Sequence, residues 1–427
     1  MALSRRAMIT GLSMSFLTTP AKAGAGVVPR PDGTPEQVAR DEEFWRAVAR
    51  QFKVSPDFVN LENGYFGSMP EPVRLAYHRH VDVLNEQNSR LLRTSYKKQA
   101  EEIAARVGAL LGVSGEEIAL TRGGTEALQN LITGYRRLAP GDVVMYSDLD
   151  YHSGQYAMKW LIGRRGVRVE RLVIPEPATR RAVLDVYAKA LSSTPRLRLL
   201  LVSHMNNRTG LVLPVREIIA MARERNVDVI VDAAHSWGHL DFTIPDLDAD
   251  FGVFSLHKWI GAPLGSGFLH IRKSRLADVD PVFADETYPA SDIRSRVHSG
   301  TMDVAPVLSV GTALDFHNAL GAPAKEARLR YLRDRWVHQV RDLPNVEILT
   351  PEDPSMYGAI TAFRITGRTT EADNQAIVDR LFERHRIFTV RRGGVSGGDC
   401  VRVTPALFTS RDDVDLFARA LREIALG

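Results

Sequence analysis

The chain has 427 residues, is 44% hydrophobic and carries a formal charge of +4. That length and apolar share suffice for a large core spread over two or three domains, and because Arg5, Arg6 and Lys22 sit before residue 24 with no acid among them, the rest of the chain is at +1 and charge makes no case for nucleic acid. The single cysteine, Cys400, excludes an intrachain disulfide and a thiolate-rich metal site.

Residues 1–23 read as an export signal. Ser4-Arg5-Arg6 is a basic start, a weakly apolar stretch interrupted by Gly11, Ser13 and Ser15 follows, and Ala21-Lys22-Ala23 offers a small-residue cleavage site. The paired arginines resemble a twin-arginine (Tat) signal, so a periplasmic protein that meets the Tat export machinery is expected. No later stretch has about 18 consecutive apolar residues, so no membrane span is predicted.

Residues 24–36, rich in Gly and Pro, read as a leader, and 41–52 as a helix. With these, residues 24–60 form an N-terminal arm. The stretch Leu61-Glu62-Asn63-Gly64-Tyr65-Phe66-Gly67-Ser68-Met69-Pro70 is a tight loop. One or two long helices are predicted over 71–112. Then Ile118–Thr121 is a strand, Arg122-Gly123-Gly124-Thr125 a glycine turn, and a helix follows. Such a turn lets backbone N–H groups approach an anion.

Apolar runs at 143–146, 198–203, 227–231 and 251–254 read as buried strands. A helix opened by Pro214 separates the second from the third, a crossover that implies a parallel sheet. Residues 267–272 form the next strand, of antiparallel type. The run Gly163–Arg171 reads as a solvated strand entry. A helix over 308–342, broken near Gly321-Ala322-Pro323, leads to alternating strands and helices over 346–427.

Two strand ends carry chemistry. Asp232 closes the apolar run Val227–Val231, where open α/β sheets bind ligands. Lys258 follows Phe251–Phe254, just before the glycine-rich turn Gly261–Gly265. A partly desolvated lysine favours its neutral amine, a nucleophile whose common use is Schiff-base formation. An amine for an aldehyde and an acid for a ring nitrogen together suit pyridoxal phosphate (PLP). His235 and His239 are four apart, yet no third ligand stands nearby, and no metal is expected.

The motifs Asp232-Ala233-Ala234-His235 and Ser255-Leu256-His257-Lys258 resemble the class V aminotransferase family of fold-type I PLP enzymes. That family includes cysteine desulfurases and isopenicillin N epimerase-like proteins. The resemblance implies an α/β fold: a large PLP-binding domain, residues 61–300, with a mostly parallel seven-stranded sheet, and a small C-terminal α+β domain, residues 301–427.

It implies site residues too. Lys258, Asp232 and His235 would be catalytic. Gly124, Thr125, Ser255 and His257 would hold the phosphate, Asn207 the phenolic oxygen and His235 the ring. The family often has Glu-His where this chain has Asp150-Tyr151, so Tyr151 would stack on the ring. A phenol lacks the imidazole's acid–base capacity near neutral pH, although His152 is adjacent. Asn63, Tyr65 and Arg402 would meet substrate, Arg402 by its planar fork on a carboxylate.

Gly300-Thr301 resembles a segment that supplies a phosphate ligand from a second subunit, so Thr301 implies a homodimer. Cys400 does not fall where a desulfurase cysteine lies; Ser396 occupies about that place after Val390-Arg391-Arg392-Gly393. The expected function is PLP chemistry at the α-carbon of an amino acid or the amino group of a peptide or siderophore precursor. It takes the form of epimerisation, transamination or side-chain tailoring. The siderophore reading follows exported relatives that tailor pyoverdine. A cytosolic-type class V aminotransferase or cysteine desulfurase-like enzyme, and a non-catalytic PLP-binding protein, are the alternatives.

Overall fold

A computed structural model describes residues 31–176, 178–282, 286–297 and 300–426. The export-signal reading over 1–23 lies outside the described residues.

The N-terminal arm is more ordered than a leader. A helix runs Pro35–Arg40, opened by a reciprocal Thr34–Gln37 cap, and a second runs Glu42–Ala49. Asp41 Oδ1 separates them, accepting the N–H groups of Glu43 and Phe44 at 3.0 Å each. A short strand, β1 (Val59–Asn60), then leads into the glycine loop. The helical stretch after it is three helices, Glu71–Gln87, Ser89–Thr94 and Tyr96–Leu110. The first break is at Asn88, whose φ of 48° ends the helical backbone there.

The main sheet holds β2 (Ile118–Thr121), β3 (Val143–Ser147), β4 (Arg168–Leu172), β5 (Leu197–Ser203), β6 (Asp228–Asp232), β7 (Phe251–Ser255) and β8 (Gly267–Ile271). Its order is β2-β8-β7-β6-β5-β3-β4. Strand β8 runs antiparallel between β2 and β7; the other neighbours are parallel. The central strands read as unbroken apolar runs because helices cover both faces. Val143, Met145, Leu200, Val202, Val229 and Val231 enter one core, and Val144, Tyr146, Leu199, Leu201 and Ile230 the opposite one. At the edge, β4 exposes Arg168, Glu170 and Arg171, charges that discourage further strand pairing.

Helix Ala305–Leu320 packs on the large core through Val307, Val310, Ala313 and Leu314. Gly321, at φ +78°, turns the chain into helix Ala322–Val340. The small sheet contains β9 (Val346–Ile348), β10 (Thr361–Ile365), β12 (Val390–Arg392) and β13 (Cys400–Val403), in the antiparallel order β12-β13-β10-β9. Within the alternating stretch over 346–427, the extended run 387–392 is two strands divided at Thr389. Its first part, β11 (Ile387–Phe388), pairs with β1 instead. That pairing ties the glycine loop to the small sheet.

Arg328 fastens the arm to both. It is 1% exposed, donates to Ala39 O at 3.0 Å, pairs with Glu42 at 2.6 Å and reaches Thr409 O at 3.4 Å. Removing a buried charge's partner leaves the other group uncompensated, at a cost of roughly 3 kcal/mol. Arg328→Ala should lower unfolding free energy by about that amount in urea titrations; a loss under about 0.5 kcal/mol would mean the arm is held by apolar contacts alone.

Candidate active site

Four parallel strands end in polar residues on one edge: Ser147 on β3, Ser203 on β5, Asp232 on β6 and Ser255 on β7. The loops beyond them, the glycine loop 62–67 and the β12–β13 hairpin enclose a cavity of about 490 Å³.

The Lys258 amine lines it, with Nζ 2.7 Å from His235 Nε2. Burial pushes this amine down to about 7; Asp232 opposes the fall, and Arg402 and Arg392 reinforce it. Burial raises the Asp232 carboxyl, while the Ala234 N–H, 3.0 Å away, and Lys258 favour its charge. His235 is held well below the ordinary imidazole value, by burial first and then by Lys258. It is therefore a neutral neighbour to the amine.

A glycine turn forms one end of the cavity. Gly124 N donates to Ser255 Oγ at 3.3 Å, and helix Gly124–Gly134 starts there. A Cβ on Gly267 would come within 2.6 Å of Gly123 Cα, so the turn and β8 meet with no room for side chains. His257 Nδ1 lies 3.0 Å from Ser266 O; donating there leaves Nε2 for another partner. Arg122 is already neutralised by Glu126 at 2.7 Å.

These groups fit PLP. The N–H groups and hydroxyl suit its phosphate, Asp232 its ring nitrogen and Lys258 its aldehyde. Asn207 Oδ1 is buried with no partner of its own, as expected of a side chain awaiting a ligand.

The cavity brings together Tyr65, Gly124, Thr125, Tyr151, Asn207, Asp232, His235, Ser255, His257, Lys258 and Arg402. Two expected residues stand apart. Asn63 does not line it: its amide donates to Thr404 O at 2.8 Å and Asn60 O at 3.2 Å, which anchors the loop. Thr301 is exposed and does not line the cavity of its own chain.

The opposite end joins the expected Arg402 and His152 to groups that motif reading passed over. Arg402 Nη2 meets both oxygens of Glu62, at 2.5 and 2.8 Å, and its Nη1 donates to Asn207 O at 2.5 Å. Arg392 reaches the same carboxylate at 3.5 Å. Glu62 also accepts the Tyr65 N–H at 3.1 Å. Arg208, Arg391 and His152 complete this wall. The available signal was charge inside glycine-bearing turns, beside the motif positions 63, 207 and 393. Two close approaches explain the loop's glycines: a Cβ on Gly64 would meet the Arg402 guanidinium, and one on Gly67 would run into Lys258 O.

Strand alternation aims Arg402 at the cavity, since Val401 and Val403 enter the small-domain core. Cys400 is fully buried, its thiol pushed up to about 12 by burial. His239 accepts the Ala359 N–H at 2.7 Å through Nε2, so its ring serves the packing between domains.

A family model for aminotransferase class-V matches residues 74–416. The chain is 30% identical to an isopenicillin N epimerase of Streptomyces clavuligerus over 399 residues, 88% of this chain and 97% of that one. It is 27% identical to a cysteine desulfurase of Pectobacterium atrosepticum, over 82% of this chain and 86% of the other. Among solved structures it resembles a C-DES mutant with glycine covalently linked to its PLP cofactor. The TM-score is 0.76 at 20% identity, covering 87% of this chain and 98% of that one. Fold, cavity and family match agree: the chain is a PLP-dependent enzyme of the class V aminotransferase family.

Proposed function

We propose that this enzyme moves the α-hydrogen of an amino acid, or of an amino-acid residue in a peptide, and that epimerisation is its main outcome. The observation that carries this reading is the Lys258 amine, poised near neutrality beside His235 in the cavity. When bound, PLP supplies a ring that withdraws electrons from the α-carbon.

Each chain group then has a task. Lys258 takes the α-proton, for which a base near the working pH is well matched. Asp232 keeps a proton on the ring nitrogen. Ser255, His257 and the Gly124 turn hold the phosphate, and Arg402 receives the substrate carboxylate. Tyr151 and His152 enter from the loop after β3, three strands along the sheet from β7. With Tyr151 stacked on the ring, His152 is a second source of protons, and returning one there yields the inverted centre with no oxidant and no keto-acid acceptor. The isopenicillin N epimerase relatives support this outcome.

Export is a second element of the proposal. Arg5-Arg6 and Ala21-Lys22-Ala23 favour a Tat-exported periplasmic enzyme, and tailoring of a siderophore precursor then joins epimerisation as a candidate activity. The working form is a homodimer in which Thr301 serves the neighbouring cavity. Cysteine desulfuration lacks a nucleophile, because the lone thiol is buried and its proton affinity raised.

In deuterated water without a keto acid, the enzyme should place deuterium at the α-carbon and invert the product. Lys258→Ala should slow exchange by roughly 10²–10⁴-fold. Exchange that persists in the variant would remove Lys258 from this role.

Capture of PLP by cofactor-free protein depends on the neutral amine. A lowered pKa leaves that amine uncharged above about 7, so the rate of visible-absorbance growth should climb through about pH 7 and then level. Arg392→Gln removes a repelling charge and should move the midpoint upward. A midpoint near 10.4, the value of a free lysine, would contradict the burial argument.

The native protein should resist thiol reagents until unfolded, and Cys400→Ala should retain activity. Rapid labelling, or loss of turnover in folded Cys400→Ala, would restore sulfur chemistry.

A further inference from the structure

The end of the cavity away from the glycine turn holds more positive charge than the chain neutralises. Three guanidiniums, Arg208, Arg392 and Arg402, stand there with one carboxylate, Glu62, in contact with two of them. The pairing register Arg392↔Cys400 puts Arg392 on the same face as Arg402, as its diagonal neighbour across β12 and β13. Like charges so placed repel, and Glu62 is shared between them.

Arg208 has no such partner. It is buried, donates to Gly393 O and makes no ion pair among the described residues. Asp148 acts on it only through space, and its two oxygens already accept Ile174 N at 3.0 Å and Ser396 Oγ at 2.7 Å. The other cavity arginines are balanced: Arg122 by Glu126, and Arg391 by Asp399 and Glu371. The Nε groups of Arg392 and Arg402 are buried without an acceptor. Unmet buried donors and an excess of positive charge, which Asp148 and Asp150 offset only through space, are costly until an anionic ligand arrives.

We propose that this cluster selects a substrate with two carboxylates: Arg402 receives the one on the α-carbon, and Arg208 with Arg392 grips a second, at the side-chain or peptide end. The proposal rests on the α-carbon reading above for the first carboxylate alone. The phosphate of PLP does not account for the excess, since its cradle is built from Gly124, Ser255 and His257 on other elements. A guanidinium's planar fork suits a carboxylate, and two such forks set a distance between the two anions.

Glutarate and valerate have equal carbon counts and no amine, so neither can react. Calorimetric titration of the PLP-loaded enzyme should show glutarate binding at least about tenfold more tightly, the worth of one charge-assisted hydrogen bond. Arg208→Gln and Arg392→Gln should each reduce that ratio by about tenfold, with valerate held within about twofold. Arg208→Lys should restore part of it. Retained visible absorbance of the bound cofactor reports that the variants are folded. Equal affinities in the parent enzyme overturn the proposal, as does a ratio unchanged in both glutamine variants. Failure of the α-carbon reading appears separately, as absent deuterium exchange beside an intact glutarate preference.

Discussion

The Lys258 amine is set between opposing forces, and the rest of the fold arranges them. Burial and two guanidiniums disfavour its charge, Asp232 favours it, and the balance falls near neutrality. No local sequence can do this. Lys258 follows β7, Asp232 ends β6, and Arg402 and Arg392 come from a separate sheet. The amine's reactivity is therefore a property of how the two sheets meet. Contacts across that junction, such as Arg402 Nη1 on Asn207 O at 2.5 Å, hold the electrostatics as well as the packing.

The parallel sheet solves the positional problem. Parallel strands end at the same edge, so polar residues at strand ends converge while apolar runs behind them supply two cores. Glycine lets backbones close in: at the Gly123–Gly267 contact for an anion, and at Gly64 and Gly67 for the loop that covers Arg402 and Lys258. Side chains at any of these positions would hold the walls apart.

Much of this was legible in the sequence because it is local. Strand runs of four to six residues, a crossover helix opened by Pro214 and the Asp232 and Lys258 strand ends were visible as pattern, and the resemblance ordered them. Breaks set by a single residue were not. Asn88 takes a positive φ that its neighbours do not announce. Thr389 divides one apolar stretch between two sheets because β1, over 300 residues upstream, claims half of it. The role of Asn63 shows the same limit: its motif position is right for the loop, but Thr404 O competes for its amide and wins. Glu62, Arg208 and Arg392 carry no motif. Their meaning arises only when the small sheet is laid against the loop.

Asp150 shows how a departure from family pattern is accommodated. Where an acid and an imidazole often stand, this chain has Asp150-Tyr151. The carboxylate is fully buried and accepts Ser147 N at 2.6 Å and both Ser203 N and Ser203 Oγ at 2.8 Å. Burial pushes it up to about 6, and those donors hold it from rising further. It thus clamps the ends of β3 and β5 together from inside the turn. Gln155 Nε2 braces the same turn, donating to Asp150 O at 2.8 Å. Tyr151 and His152 therefore project from a turn fixed by hydrogen bonds on both sides, their rings 4.4 Å apart. An imidazole at position 151 would combine stacking and proton transfer in one ring. Here a phenol stands at 151 and the imidazole at 152, where burial first, and then Arg208 and Arg392, oppose its protonation. An anion bound beside those guanidiniums would offset part of that opposition, so a second carboxylate would favour the protonated form of His152.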